Sequence, residues 1–281
     1  MMDITPIQQA ARAVASAQAL LIGAGAGMGV DSGLPDFRGD QGFWRAYPPY
    51  QKLGLRFTSL ANPRWFTKDP TFAWGFYGHR LNLYRGTQPH EGFQILRSWA
   101  GRMKYGAFVF TSNVDGQFQR AGFDPKRIVE VHGAIDWMQC TGDCGVDLFS
   151  AGDVTVWVDE ATMRAREPLP SCPSCGALAR PNILMFDDWG WDDTQTRAQQ
   201  TRLRDWLEET RICRMVIVEC GAGSAIPTVR SFCETTARFP LSTLIRLNPR
   251  EPLVPPRHLG LPVGALEGLR AIDRLLMQGI S

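Results

Sequence analysis

Residues 19–39 read ALLIGAGAGMGVDSGLPDFRG. The apolar run Ala19–Ile22 enters a glycine-rich stretch at 23–27, which predicts a strand, a turn and a brief helix that Pro35 ends. Glycines in such a turn allow the backbone to approach a pyrophosphate, and the helix N-terminus adds N–H donors and a positive dipole end. The stretch therefore indicates a nucleotide site, although a tight strand–helix turn without a ligand has the same sequence.

The turn departs from the G-x-G-x-x-G pattern of dinucleotide-binding dehydrogenases. Met28 and Val30 stand where the two possible reading frames of that pattern require the last glycine. No acidic residue ends a second strand about 20 residues later, where a ribose partner lies in that fold. The sequence thus predicts a nucleotide turn outside the ordinary dehydrogenases.

Short apolar runs and helical patterns alternate along most of the chain, which predicts a doubly wound, Rossmann-like α/β fold with a parallel sheet. The further predicted strands are Ala107–Phe110, Ile128–Val131, Met215–Val218 and Leu244–Leu247. The predicted helices are Ile4–Ala17, Thr194–Glu209, Thr228–Arg238 and Leu266–Met277.

Two stretches interrupt the alternation. Residues 40–90 are rich in aromatic side chains and predict a helical insertion, and residues 136–180 contain two cysteine pairs and predict a zinc-binding insertion. Together they form a smaller second domain in this interpretation. The remaining residues, 1–39, 91–135 and 181–281, are assigned to the nucleotide-binding domain.

Composition excludes several classes of protein. The chain has 281 residues, of which 44% are hydrophobic and 21% charged, as in ordinary globular proteins. A net charge of +2 without a like-charge block gives no reason to expect nucleic acid or a membrane surface as a partner. No apolar run is long enough to span a bilayer, and the N-terminus does not resemble a secretory signal, so we expect a cytoplasmic protein. The oligomeric state is not predicted.

The paired cysteines are Cys140 with Cys144 and Cys172 with Cys175. An odd total of seven argues against a disulfide framework. Two close pairs can present four thiolates to one tetrahedral zinc ion, and such four-cysteine sites are closed and structural. Four free thiols are the alternative.

Polar residues follow two of the predicted strands. Asn113 and Asp115 come after the strand at 107–110, and His132 comes after the strand at 128–131. Ligands of open α/β sheets bind at the carboxyl ends of the strands, and an imidazole with a pKa of about 6.5 suits a general base. A structural histidine and a turn-capping Asn–Asp pair are the alternatives.

Four motifs, in order, resemble the sirtuins, the NAD-dependent protein deacylases. They are GAGAGMGVDSGLPDFRG (23–39), TSNVDGQFQRAGF (111–123), EVHGAIDWMQC (130–140) and CPSCGALARPNILMF (172–186). The resemblance covers residues 20–265 approximately. It implies a Rossmann-like fold with a structural zinc. It also implies consumption of NAD to remove an acyl group from lysine, with release of nicotinamide and O-acyl-ADP-ribose.

The resemblance implies His132 as the general base, with Asn113 and Asp115 contacting the nicotinamide and ribose. The implied cofactor contacts are Gly23, Ala24, Gly25, Asp36, Phe37, Arg38, Ser112, Asn113, Val114, Asp115, His132, Gly221, Ala222, Gly223, Asn248 and Ala265. This chain departs from the family at Ser112, which replaces Gln, and at Ala222-Gly223, which replaces Thr-Ser. A hinge loop is the alternative for residues 221–224.

Tyr77 and Arg80 share a helix face at the spacing of a Tyr-x-x-Arg motif. In one class of sirtuins that motif binds the carboxylate of malonyl- or succinyl-lysine, and this chain resembles a bacterial-type sirtuin with the motif. The resemblance therefore implies acceptance of acidic acyl groups. A surface arginine beside a packed tyrosine is the alternative. Phe186 is implied to bind the substrate backbone, and Asp187 replaces a family glycine in the same loop.

Two other functions fit the same fold. An NAD glycohydrolase or protein ADP-ribosyltransferase would split NAD without an acyl-lysine, and a non-catalytic module would bind NAD without turnover. The cysteine pairs and the retained His132 favour deacylation, with acylated protein lysines as the partners.

Overall fold

The structure, a computed structural model, describes residues 5–36, 39–142 and 144–279. The helices are α1 (Pro6–Ser16), α2 (Gly39–Ala46), α3 (Pro48–Lys52), α4 (Phe57–Leu60), α5 (Arg64–Lys68), α6 (Pro70–Gly86), α7 (Glu91–Gly101), α8 (Gln117–Arg120), α9 (Thr194–Thr210), α10 (Thr228–Thr236) and α11 (Ala265–Met277). The strands are β1 (Ala19–Ala24), β2 (Ala107–Thr111), β3 (Ile128–Glu130), β4 (Gly133–Cys140), β5 (Phe149–Ser150), β6 (Val158–Asp159), β7 (Arg164–Ala165), β8 (Ala179–Ile183), β9 (Met215–Cys220), β10 (Ser242–Leu247) and β11 (Leu259–Leu261).

The main sheet has six parallel strands in the order β11-β10-β9-β1-β2-β3. The order reverses beside β1, since the chain leaves β1 toward β2 on one side and later returns to β9 on the other. A parallel sheet whose order reverses in this way binds ligands at the carboxyl ends of the strands beside the reversal. The predicted Rossmann-like class is confirmed.

Side chains of the central strand alternate between two apolar layers. Leu20 and Ile22 face the layer formed with α1, α7 and α11, whereas Ala19 and Leu21 face the layer formed with α9 and α10. All four are fully buried. Burial of each larger side chain contributes about 1.5–3 kcal/mol, which explains why the predicted strands are continuous apolar runs.

A third apolar cluster joins the two stretches that interrupt the alternation. Aromatic residues of α2, α3 and α6 pack there against residues from β4, β7 and β8. The Trp74 indole on α6 donates to the Ala179 carbonyl at 3.0 Å, so the helical stretch is also hydrogen-bonded to β8. The domain boundaries assigned from the sequence stay a prediction.

The five strands predicted from the sequence are all present, within two residues at each end. The N-terminal helix begins at Pro6 behind a capping box made by Thr5 and Gln8, and Ile4 of the predicted helix lies outside the described residues. Helix α7 and strand β11 were not predicted. Within the described ranges, no helix is both long and apolar enough to cross a membrane.

Candidate active site

Two glycine-rich turns, after β1 and after β9, touch backbone to backbone. Gly25 N–H donates to the Cys220 carbonyl at 3.0 Å, and Gly27 N–H donates to the Gly221 carbonyl at 3.1 Å. A Cβ on Gly25 would lie 2.7 Å from the Cα of Ala222. Gly221 has φ +61°, and its Cβ would lie 2.3 Å from the Cα of Gly27. Glycine is therefore required in both turns by their mutual contact.

The turn after β2 is hydrogen-bonded to the turn after β1. Asn113 Nδ2 donates to the Gly25 carbonyl at 3.0 Å, and Ser112 N–H donates to the Ala24 carbonyl at 3.1 Å. Thr111 Oγ1 donates to the same Ala24 carbonyl at 2.9 Å and accepts from Asn113 N–H at 3.0 Å. These bonds fix the Asn113 side chain against the first glycine turn.

Asp115 lies deeper, with 7% of its surface exposed. Its carboxylate accepts from Gln117 N–H at 3.0 Å. Burial raises the pKa of Asp115, while the Gln117 hydrogen bond and the charges of Arg120 and Arg80 act in the opposite direction. Two positive charges thus face this carboxyl from α8 and α6.

His132 is half-buried between β3 and β4. Burial lowers its pKa, and the ring's hydrogen bond with the Ser112 backbone opposes that shift. The neutral imidazole, which can accept a proton, therefore predominates at neutral pH. The next residue, Gly133, has φ +72°, and a Cβ there would lie 2.0 Å from the Asn182 carbonyl oxygen of β8. Leu184 N–H donates to the His132 carbonyl at 2.9 Å.

Tyr77 and Arg80 on α6 are both buried, with 1% and 6% of their surfaces exposed. Arg80 Nε donates to the Tyr84 hydroxyl at 2.9 Å, and its guanidinium lies 5.3 Å from the centre of the Tyr84 ring and 5.8 Å from that of Tyr77. In the described part of the chain the Tyr77 hydroxyl has no hydrogen-bond partner. Arg80 is therefore an interior cation and not a surface arginine.

Phe186 follows β8 and lies against the segment after α4. Its N–H donates to the Ala61 carbonyl at 2.9 Å, and its ring centre is 6.1 Å from that of Phe57. Asp187 adopts φ +58°, a left-handed conformation that suits glycine and that aspartate tolerates better than most residues. Asn62 Nδ2 donates to its carboxylate at 3.2 Å.

The C-terminal half of the predicted cofactor site lies at the ends of β9 and β10. Asn248 is fully buried, and its Nδ2 donates to the Ala222 carbonyl at 2.9 Å. Its Oδ1 accepts from Glu251 N–H at 3.0 Å, and the Glu251 carboxylate in turn accepts from Ser224 N–H at 2.9 Å. Gly223 has open space where a Cβ would lie.

The structure thus brings the predicted residues of β1, β2, β3, β9 and β10 to one edge of the sheet. Ala265 begins α11, which is held to this edge because Leu266 N–H donates to Asp31 at 2.9 Å. Phe37 and Arg38 lie outside the described residues, directly after Asp36.

Asp31 and His90 were missed by the sequence analysis as positioning residues. His90 Nε2 lies 2.9 Å from the Met28 carbonyl, and its Nδ1 accepts from Gly92 N–H at 3.0 Å. Its own N–H donates to Ser32 Oγ at 3.0 Å. His90 therefore joins the segment after the glycine turn to the start of α7. Partners so distant in sequence leave no local signal.

The sulfur atoms of the four paired cysteines lie within 4.8 Å of one another. Cys140 and Cys175 have Sγ atoms 3.6 Å apart, and those of Cys144 and Cys172 are 3.7 Å apart. A tetrahedron with Zn–S bonds of about 2.3 Å has edges of about 3.8 Å, so the set fits one zinc ion.

The cysteine cluster lies at one end of the β4–β8 pair, where Cys140 is opposite Ala179. At the other end, Gly133 is opposite Ile183, next to His132. Zinc at this cluster would therefore hold the end of the β4–β8 pair remote from the histidine, which is a structural role.

We expect about one equivalent of zinc per chain, and almost none in Cys172→Ser, whose thiolate is one of four ligands. The variant should also unfold at a lower temperature, because metal binding stabilises the folded structure around the four cysteines. Atomic emission and thermal denaturation measure both effects. Cys213→Ser, outside the cluster, is the control that keeps its zinc. Less than about half an equivalent in the unsubstituted protein would contradict the assignment.

Comparison with known proteins agrees with this geometry. Residues 25–213 match the Sir2 family. The NAD-dependent protein deacylase of Aquifex aeolicus is 30% identical over 227 residues, 81% of this chain and 82% of the relative. NAD-dependent protein deacylase 1 of Archaeoglobus fulgidus is 28% identical over 96% of this chain and 98% of its own length. A solved complex of a Sir2 homolog with NAD superposes with a TM-score of 0.71 at 27% identity, covering 100% of this chain and 96% of that one. The chain belongs to the Sir2 family, whose members are the sirtuins.

Proposed function

We propose that this protein is an NAD-dependent protein lysine deacylase that releases nicotinamide and O-acyl-ADP-ribose. The observation that carries the proposal is the position of His132. Its half-buried imidazole lies at the carboxyl edge of the sheet, bonded to the backbone of Ser112, beside two glycine turns that contact each other. The relatives named above supply the reaction class.

The site fits a dinucleotide. Gly223, in the turn after β9, has open space where a Cβ would lie, so its backbone is open to a phosphate. Residues 23–25, 36–38, 112–115, 221–223, Asn248 and Ala265 would hold the cofactor. When bound, NAD supplies a ribose carbon that is attacked by the acyl oxygen of the substrate, with nicotinamide as leaving group.

His132 acts as the general base in this proposal. Its neutral ring accepts a proton from a ribose hydroxyl, and its hydrogen bond with the Ser112 backbone fixes the ring's orientation. Asn113, fixed by its bond to Gly25, and the buried Asp115 position the nicotinamide and the ribose. A division into a nucleotide-binding domain (1–39, 91–135, 181–281), a helical insertion (40–90) and a zinc-binding insertion (136–180) belongs to the same proposal.

We further propose that the acyl pocket accepts acidic acyl groups such as succinyl. Arg80 is a buried cation whose Nε donates a hydrogen bond to the Tyr84 hydroxyl. The buried Tyr77 hydroxyl has no hydrogen-bond partner among the described residues. A carboxylate brought beside them would be attracted by the guanidinium charge and would accept a hydrogen bond from the Tyr77 hydroxyl. A guanidinium suits this role because of its bidentate geometry.

Tyr77→Phe removes only the hydroxyl, so we expect kcat/KM for a succinyl-peptide to fall several-fold while that for the acetyl-peptide stays unchanged. Arg80→Met should lower the succinyl rate about 10- to 100-fold more than the acetyl rate, since a charge-assisted hydrogen bond contributes about 1.5–3 kcal/mol. Tyr50→Phe is the matched control, because its hydroxyl is also buried without a partner. Equal losses on both peptides would contradict the acidic pocket.

The pH profile tests the base. His132 is active when neutral and its pKa is lowered, so kcat/KM should fall on acidification with a midpoint below about 6.5 and stay flat above neutrality. His132→Ala should lose about 100-fold or more. Burial raises the pKa of Glu130 to about 7, so Glu130→Gln is the necessary control. The acidic limb should persist in that variant. Its disappearance there would assign the titration to Glu130.

A further inference from the structure

The loop after β8 has an unusual composition. Residues 187–193 read DDWGWDD, with four aspartates, two tryptophans and no cation. We call this segment the Asp-Trp loop. Nothing in the chemistry of NAD cleavage uses it.

Buried hydrogen bonds fix the Asp-Trp loop to β4 and β8. Asp188 forms an ion pair with Arg180 at 2.6 Å, and the side chains are 1% and 5% exposed. Gln139 Nε2 donates to the Gly190 carbonyl at 2.8 Å, and Asn182 Nδ2 donates to the Asp192 carbonyl at 2.9 Å. The loop is therefore held on both sides of Trp189.

Trp189 is 98% exposed, although it stands between these anchored positions. Covering the apolar surface of this indole by a partner would be favourable, in proportion to the area removed from water. Because the loop is already fixed, little ordering entropy would be lost when a partner covers the ring.

Trp189 follows shortly after residues 184–186, the segment that contains Phe186, which is implied to bind the substrate backbone. Leu184 N–H donates to the His132 carbonyl, and Phe186 N–H donates to the Ala61 carbonyl. The Asp187 carboxylate accepts a hydrogen bond from Asn62 Nδ2. Trp189 is three residues beyond Phe186. The segment that contacts the substrate in the proposed function therefore continues along the chain into the Asp-Trp loop.

The charge of the loop identifies the partner's chemistry. Arg180 pairs with Asp188, and Arg197 pairs with Asp193 at 2.8 Å. Over the residues that the structure describes, no ion pair involves Asp187 or Asp192, whose carboxylates accept hydrogen bonds from Asn62 Nδ2 and Thr194 N–H. Two carboxylates without an ion pair among the described residues, in the same seven-residue loop as an exposed indole, suit a cation, which binds the face of tryptophan better than that of other aromatic rings.

We propose that the Asp-Trp loop binds a lysine or arginine side chain of the acylated protein near the modified lysine. The Trp189 ring receives the cation, and the Asp187 carboxylate adds electrostatic attraction. This inference rests on the proposed deacylase function and adds a preference for basic sequences around the acyl-lysine.

The test uses two sets of fluorescently labelled acetyl-lysine peptides that differ only in flanking residues, arginine in one and alanine in the other. Anisotropy gives Kd and the deacylation assay gives kcat/KM. Unsubstituted protein should bind the arginine peptides more tightly. Trp189→Ala should weaken their binding about 2- to 20-fold, the range of cation–π interactions, and change binding of the alanine peptides less than about 2-fold. Asp187→Asn should reduce the preference and its salt dependence.

Trp157→Ala is the matched control, because Trp157 is 72% exposed in the segment before β6 and outside the loop. It should leave both peptide sets unchanged. Equal effects of Trp189→Ala on both sets, or no preference for arginine with normal deacylation, would overturn the inference. Preferential binding without any deacylation would overturn the proposed function instead.

Discussion

The backbone contact between the turns after β1 and β9 determines the shape of the whole site. Gly25 and Gly221 allow the two turns to approach without side chains, and the 3.0 Å bond from Gly25 N–H to the Cys220 carbonyl joins them. The turn after β2 attaches to the first of these through Asn113, and His132 attaches to that turn through the Ser112 backbone. Displacement of one turn would therefore move the imidazole relative to the cofactor.

Ser112 and Ala222, two departures from the family pattern, make their contacts in the site through backbone atoms. The Ser112 backbone is hydrogen-bonded to the His132 ring, and the Ala222 carbonyl accepts a hydrogen bond from Asn248 Nδ2. Asp187 has a left-handed φ of +58°, a conformation that glycine adopts freely. The contacts that Ser112 and Ala222 make here therefore do not depend on their side chains.

Much of the fold was predictable because strands such as Ala19–Ala24 are buried on both faces and read as apolar runs. The position of Asn113, Asp115 and His132 at the ends of predicted strands followed from the geometry of parallel sheets. The contacts of Asp31 and His90 were not predictable, because their partners are far away in the sequence. Asp31 accepts a hydrogen bond from Leu266 N–H, 235 residues later, and His90 Nε2 lies against the carbonyl of Met28, 62 residues earlier. The contact between the two glycine turns was not predictable either, because it joins residues that are far apart in the sequence.

The most direct measurement is the balance of products when the protein is incubated with NAD and an acyl-lysine peptide, followed by mass spectrometry. Deacylation at the His132 edge predicts equal amounts of nicotinamide, O-acyl-ADP-ribose and free lysine peptide, with no nicotinamide formed when the acyl group is absent. Release of nicotinamide without acyl-lysine, or recovery of NAD intact or reduced, would contradict that chemistry.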